Sequence, residues 1–128
     1  MLRIDHINIS APYPVLLEVK NFYCRLFNVE VGPRPNFARR GFWLYPAGND
    51  QDALIHLTES NQHQAPVANQ YLDHIAFEVS LTEKDNLVQQ LEQQAIEYQA
   101  VYLADIKAHQ LFFKDPIGNG VEAIFKYL

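Results

Sequence analysis

Two histidines of this chain sit in the same tripeptide, Asp-His-Ile, at Asp5–Ile7 and again at Asp73–Ile75. Each tripeptide opens or interrupts a stretch of alternating apolar residues, the period-two signature of a half-buried strand. In "ALIHLT", His56 falls opposite Ala53, Ile55 and Leu57; in "GVEAIF", Glu122 falls opposite Val121, Ala123 and Phe125. His74 follows His6 by 68 residues, and Glu122 follows His56 by 66. Each half of the chain thus offers one ligand-type residue on its first strand and one on its last, always away from the more continuously apolar face. His6, His56, His74 and Glu122 are therefore candidate metal ligands. Imidazole and carboxylate donors suit Fe, Ni, Zn, Co or Mn without choosing among them, and a sheet holds such donors rigidly.

The elements that must position these residues recur in the same order. The first half reads as a strand over Ile4–Ser10 and a helix with Val15, Val19, Phe22 and Leu26 as its apolar stripe. Short strands follow at "VEV", at Phe42–Tyr45 and at Ala53–Thr58. The second half reads as a strand in "YLDHIAFEV" and a helix carrying Leu87, Val88, Leu91 and Ala95. Thr82 and Asp85 have the spacing of a capping box at its start. Strands then follow in "EYQAVYL", "HQLFFKD" and "VEAIF", with a proline- and glycine-marked turn, "DPIGNG", before the last. This is an internal repeat of element order. It predicts one domain over 1–128, with a first module at about 1–60, a polar linker at 61–69 and a second module at about 70–128. His63 falls in that linker. His109 begins a strand near the rim, as part of a site or of the surface.

Composition narrows the function classes. A net charge of −5 argues against a nucleic-acid partner, which selects a basic face. The single cysteine, Cys24, excludes an internal disulfide framework and fits a reducing compartment. It lies within the first helix and reads as packing. No apolar run is long enough for a membrane span, and the first ten residues lack the apolar core of a secretory signal. A cytoplasmic location is the expectation. The stretch "GPRPNFARRGFWLYP" supplies Arg34, Arg39 and Arg40, guanidinium groups able to grip a carboxylate or phosphate. Within it Trp43 and Tyr45 share one strand face, and Phe42 and Leu44 the other. One pair packs under the helix and the other faces a substrate. Arg39, Arg40, Tyr45 and His109 are the candidate substrate contacts.

The pattern resembles the vicinal oxygen chelate superfamily of glyoxalases, extradiol dioxygenases, fosfomycin-resistance enzymes and bleomycin-resistance proteins. It is carried by "DHI" at Asp5–Ile7, "FYCRLFNVEVG" at Phe22–Gly32, "IHL" at Ile55–Leu57, "LDHIAFEV" at Leu72–Val79 and "FFKDPIGNGVEAIF" at Phe112–Phe125. The resemblance implies an α+β fold of two βαβββ modules forming a cupped mixed sheet, with helices on the outer face and a divalent metal in the cup. It implies His6, His56, His74 and Glu122 as the ligands, with spacings like those of bacterial glyoxalase I. It also implies a small-molecule substrate and a homodimer. Glyoxalase I usually carries a glutamate where this chain has His56, so a second carboxylate ligand is missing. The activity implied is a glyoxalase-type lyase or isomerase acting on a small oxygenated metabolite, with Glu122 as both ligand and base. Two other activities are compatible with the same residues. His6, His74 and Glu122 can form a two-histidine, one-carboxylate Fe(II) site of an extradiol-type dioxygenase, with His56 as the acid–base group. A bleomycin-resistance-like protein would sequester its ligand without chemistry.

Overall fold

The structure is a computed structural model, and it describes residues 1–49, 52–62 and 71–127. The chain divides into two compact units, Met1–Ala65 and Pro66–Leu128. The expected linker at 61–69, apart from Asn61 and Gln62, lies outside the described residues, as does His63.

The first unit runs β1 (Ile7–Ala11), α1 (Tyr13–Phe27), β2 (Val29–Gly32), β3 (Gly41–Pro46) and β4 (Ile55–Glu59). Its sheet order is β1-β4-β3-β2, with β1 and β4 parallel and the other pairs antiparallel. The second unit runs β5 (Ile75–Glu78), α2 (Lys84–Gln93), β6 (Gln99–Leu103), β7 (Ala108–Lys114) and β8 (Gly120–Lys126). Its order, β5-β8-β7-β6, repeats the first, with β5 and β8 parallel. The fold is α+β, built of two βαβββ modules.

Helix α1 starts after Pro12 and carries Pro14 in its first turn, where a missing N–H costs nothing. It stops at Asn28, whose left-handed φ of 52° ends the hydrogen-bond ladder. Its buried stripe is Leu16, Val19, Phe22, Tyr23 and Leu26. Val15, expected in that stripe, is only half-buried, and Leu16 takes the inward position. The stripe covers the sheet face that carries Ile9, Leu44, Ile55 and Leu57, all buried. Tyr13 of the helix stacks on Phe42, so Phe42 and Leu44 are the pair under the helix, and Trp43 faces the other way. Register is held by this face. Each such aliphatic side chain contributes about 1.5–3 kcal/mol when buried. A one-residue slip of β4 would exchange Ile55 and Leu57 for His56 and Thr58.

The second unit repeats the scheme with Leu87 and Leu91 of α2 buried, and with Leu111, Phe113, Val121, Ala123 and Phe125 as the buried strand positions. The capping box is not formed. A 3-10 turn over Leu81–Glu83 leads into α2, and no side chain caps either segment. Ala95 is exposed beyond the helix end, in a left-handed conformation with φ 55°. The turn before β8 is locked by the buried Asp115, whose carboxylate accepts from the backbone N–H groups of Ile117 and Asn119 and from the Asn119 side chain. No helix of the described residues is long and apolar enough to cross a membrane.

Candidate functional site

His6 and His74 occupy the residue just before β1 and β5, one position outside the ladder on each module. The strand predicted from Ile4 therefore begins only at Ile7. In the parallel pairing Asn8 lies opposite His56, and Ala76 lies opposite Glu122. His6 and His74 thus stand two residues before equivalent partners. The ladder itself makes His56 and Glu122 counterparts in the two repeats.

In the second module the pair meets. His74 Nε2 lies 3.1 Å from Glu122 Oε1, and His74 Nδ1 lies 2.8 Å from Asp73 Oδ2. Glu122 is buried, and its other oxygen accepts from Gln110 Nε2 at 3.2 Å. Phe112, directly opposite Glu122 on β7, sets its ring edge-on to His74 with centroids 5.6 Å apart. The hydrogen bond that His74 donates to Asp73, then the Glu122 charge, raise the His74 pKa above its ordinary value.

In the first module the pair stacks. The His6 and His56 rings are 3.8 Å apart and 12° from parallel, and His56 in turn stacks on Trp43 at 4.1 Å. His6 Nδ1 lies 2.6 Å from Asp5 Oδ2, so both copies of Asp-His orient the ring in the same way. Burial, and then the neighbouring His6, push the His56 pKa below its ordinary value, which keeps this ring neutral at pH 7.

Among the described residues no group of three or more His, Cys, Asp or Glu side chains gathers in metal-binding geometry. The ligand-type residues come as two pairs, and the pairs differ in fit. Two donors held at about 2.1 Å and at right angles around a first-row ion stand about 3.0 Å apart. The 3.1 Å between His74 and Glu122 matches that edge. Asp73 on the far nitrogen supplies the carboxylate that a metal-ligating imidazole ordinarily leans on. The stacked His6 and His56 do not match: parallel rings aim their in-plane lone pairs side by side, so one ring must turn before both can reach one ion.

The candidate substrate contacts separate. Arg40 is taken, its Nε and Nη2 donating to the Glu59 carboxylate at 3.2 and 2.6 Å while its guanidinium lies over the Tyr13 ring. Arg39 is exposed. Tyr45 is buried, and its hydroxyl donates to the Pro33 carbonyl at 2.6 Å, which makes it a core residue. His109 packs against Tyr102 and Tyr127. It is on the face of β7 opposite Phe112, and so turns away from Glu122. Sequence reading passed over Asp5, Asp73 and Gln110 as partners of the candidate ligands. The two aspartates had a signal, since they belong to the repeated tripeptide; Gln110 had none without the β7–β8 register.

A cleft of about 640 Å³ opens beside His74, walled by Phe112, Tyr98, Glu97 and Lys114. Its mixture of ring faces and charges suits a small polar ligand.

No family model and no curated protein matches the chain. Solved structures do. A glyoxylase/bleomycin resistance protein/dioxygenase domain from Frankia sp. EAN1pec superposes with a TM-score of 0.76 at 18% identity, covering 99% of this chain and 93% of that one. The fosfomycin resistance protein FosX of Listeria monocytogenes, as a Glu-to-Gln mutant complexed with Mn(II) and 1S,2S-dihydroxypropylphosphonic acid, gives 0.70 at 19% identity, covering 100% and 95%. An integron cassette protein from the mobile metagenome of a Halifax Harbour sewage outfall gives 0.69 at 23%, covering 98% and 99%. This chain has the vicinal oxygen chelate fold.

Proposed function

We propose that this chain is a metal-dependent enzyme of the glyoxalase type, a lyase or isomerase acting on a small oxygenated metabolite. The observation that carries the reading is the His74–Glu122 pair, at chelating distance and backed by Asp73. The repeat extends the ligand role to His6 and His56. A divalent ion held by such donors would supply a Lewis acid for two vicinal oxygens of a substrate. The chain's own residues do the rest. Asp73 keeps the proton on His74 Nδ1 and leaves Nε2 as the donor atom. Gln110 fixes one oxygen of Glu122 and leaves the other to act. Glu122 serves as the base that takes a proton from carbon next to the carbonyl, and its burial keeps water from competing for that proton.

An Fe(II) extradiol-type dioxygenase is the second reading. It is favoured by His56, whose neutral ring has the protonation state of a general base at pH 7. We further infer a homodimer, because each module buries only a small core. Sedimentation at micromolar concentration showing a 14.8 kDa species alone would exclude it.

The deciding experiment is metal analysis of protein purified without chelator, followed by assays on protein loaded anaerobically. Solvent deuterium in product without oxygen consumption supports the lyase or isomerase. Oxygen uptake with a catechol panel supports the dioxygenase. Tight ligand binding with no turnover under any metal supports a sequestering protein. Failure to bind any added metal removes both enzyme readings.

Asp73→Asn tests the orientation of His74. The amide no longer favours the Nδ1 proton, and metal affinity at neutral pH is expected to fall roughly 10–100-fold. The acid limit of binding moves the other way. Asp73 is the largest cause of the raised His74 pKa, so removing its charge lowers that pKa and lets metal compete with protons to lower pH. Metal titrations at several pH values read both effects.

A further inference from the structure

Arg34 lies in the segment between β2 and β3, which has no helix or strand. A methyl group placed on Gly41 would first meet the Leu57 carbonyl of β4, and beyond it Arg34 Nη2 at 2.9 Å and Cζ at 3.1 Å, so the guanidinium lies beside the start of β3. Position 41 shares a face of β3 with Trp43, which pairs with His56 across β4. The guanidinium lies on the histidine-bearing face of the first module, since it sits against Phe37, whose ring neighbours Trp43, and Trp43 stacks on His56. It is held in place: Nη2 donates to the Arg39 carbonyl at 3.0 Å, and Cζ sits 4.9 Å from the centre of the Phe37 ring. It is not neutralised. Among the described residues of this module the ion pairs join Asp5 to His6 and Glu59 to Arg40, and Arg34 has none. Its Nε is buried without a hydrogen-bond partner, a cost that native structures rarely leave unmet. Of the three arginines in the segment, one is neutralised, one is exposed, and one is fixed in place with its charge uncompensated.

We propose that Arg34 is an anion anchor, holding the carboxylate or phosphonate of a small ligand on the face that carries Trp43 and His56. Guanidinium geometry matches such groups in bidentate fashion, and Phe37 and Trp43, 6.4 Å apart, offer ring faces to the rest of the ligand. That this ligand is the substrate rests on the metal-enzyme reading; the anion site rests on the first module alone.

The test uses the full metal-free chain titrated with acetate and with methylphosphonate. Binding is followed through Trp43, the single tryptophan. Saturable binding is expected, and the tighter of the two probes identifies the oxyanion class. Arg34→Gln should weaken it roughly 10–100-fold, the loss of a charged hydrogen-bond donor. Arg34→Lys should fall between the two, having charge without the fork, and decides the matter if Arg34→Gln fails to fold. Arg25→Gln, which removes an exposed charge on α1, should bind like wild type. No saturable binding of either probe, or wild-type binding by the Arg34 variants, overturns the proposal. Metal affinity is measured beside it. Arg34-dependent anion binding in a chain that binds no metal leaves the anchor standing and removes the enzyme reading; metal binding with Arg34-independent anion binding does the reverse.

Discussion

Glu122→Gln is expected to lower turnover roughly 10²–10⁴-fold at saturating metal, in a chain that still folds. The substitution keeps the volume and the ability to hydrogen-bond, and removes the charge and the base. Glu122 is 5% exposed and sits between two groups that accept an amide readily: Gln110, which can rotate its own amide, and His74 Nε2. The buried face of β8 is untouched, because Val121, Ala123 and Phe125 point the other way. Metal affinity falls as well, since a neutral amide oxygen is a weaker donor to a divalent ion than a carboxylate. In the metal-free chain the His74 pKa also drops, because the Glu122 charge is one of its causes. Thermal melts, metal titration and kinetics separate these effects. A well-folded variant with unchanged metal affinity would show that Glu122 is not a ligand, and would remove the observation on which the functional reading depends.

Residues on strands were legible because alternation leaves few choices. Once Ile55 and Leu57 face the helix, His56 must face away, and the same holds for Glu122 beside Val121 and Ala123. The duplicated tripeptide located His6 and His74 but put them within their strands, which start one residue later, at the isoleucine that follows each. The apolar stripe of α1 was off by one residue at its start because Val15 and Leu16 are both apolar, and only the packing direction chooses between them. The capping spacing of Thr82 and Asp85 lost to a 3-10 entry, a local geometry that residue types alone do not distinguish. The segment between β2 and β3 was least legible. It has no period, so three arginines that look alike in sequence acquire separate roles only through their neighbours: Glu59 for Arg40, Gly41 and Phe37 for Arg34. Tyr45 illustrates the same limit. Its place on β3 was read correctly, but its burial and its bond to Pro33 depend on where the chain goes after β2.

The two glycines of "DPIGNG" look interchangeable in sequence but should differ on replacement in their effect on metal binding. Gly118 adopts a φ of 88° and has open space around it, so Gly118→Ala pays only for the left-handed backbone, about 1–2 kcal/mol. Gly120 has no such backbone requirement. It opens β8 where that strand passes β5, and a methyl there would run into the Asp73 carbonyl and meet His74 Cβ at 3.0 Å. The first contact is with backbone and cannot be relieved by turning a side chain, so the Asp73–His74 segment must move. Overpacking of this kind costs about 1–3 kcal/mol, which places the stability loss in the same range as that of Gly118→Ala. The metal site distinguishes them. Displacing Asp73 and His74 breaks the orienting hydrogen bond and opens the distance to Glu122, so Gly120→Ala should also lose metal affinity, roughly 10–100-fold. Gly118→Ala, two residues away and pointing into solvent, should bind metal as the wild type does. Melting and metal titration of both variants give the answer. If Gly120→Ala melts and binds like wild type, then the close approach of β8 to His74 is not what positions this ligand.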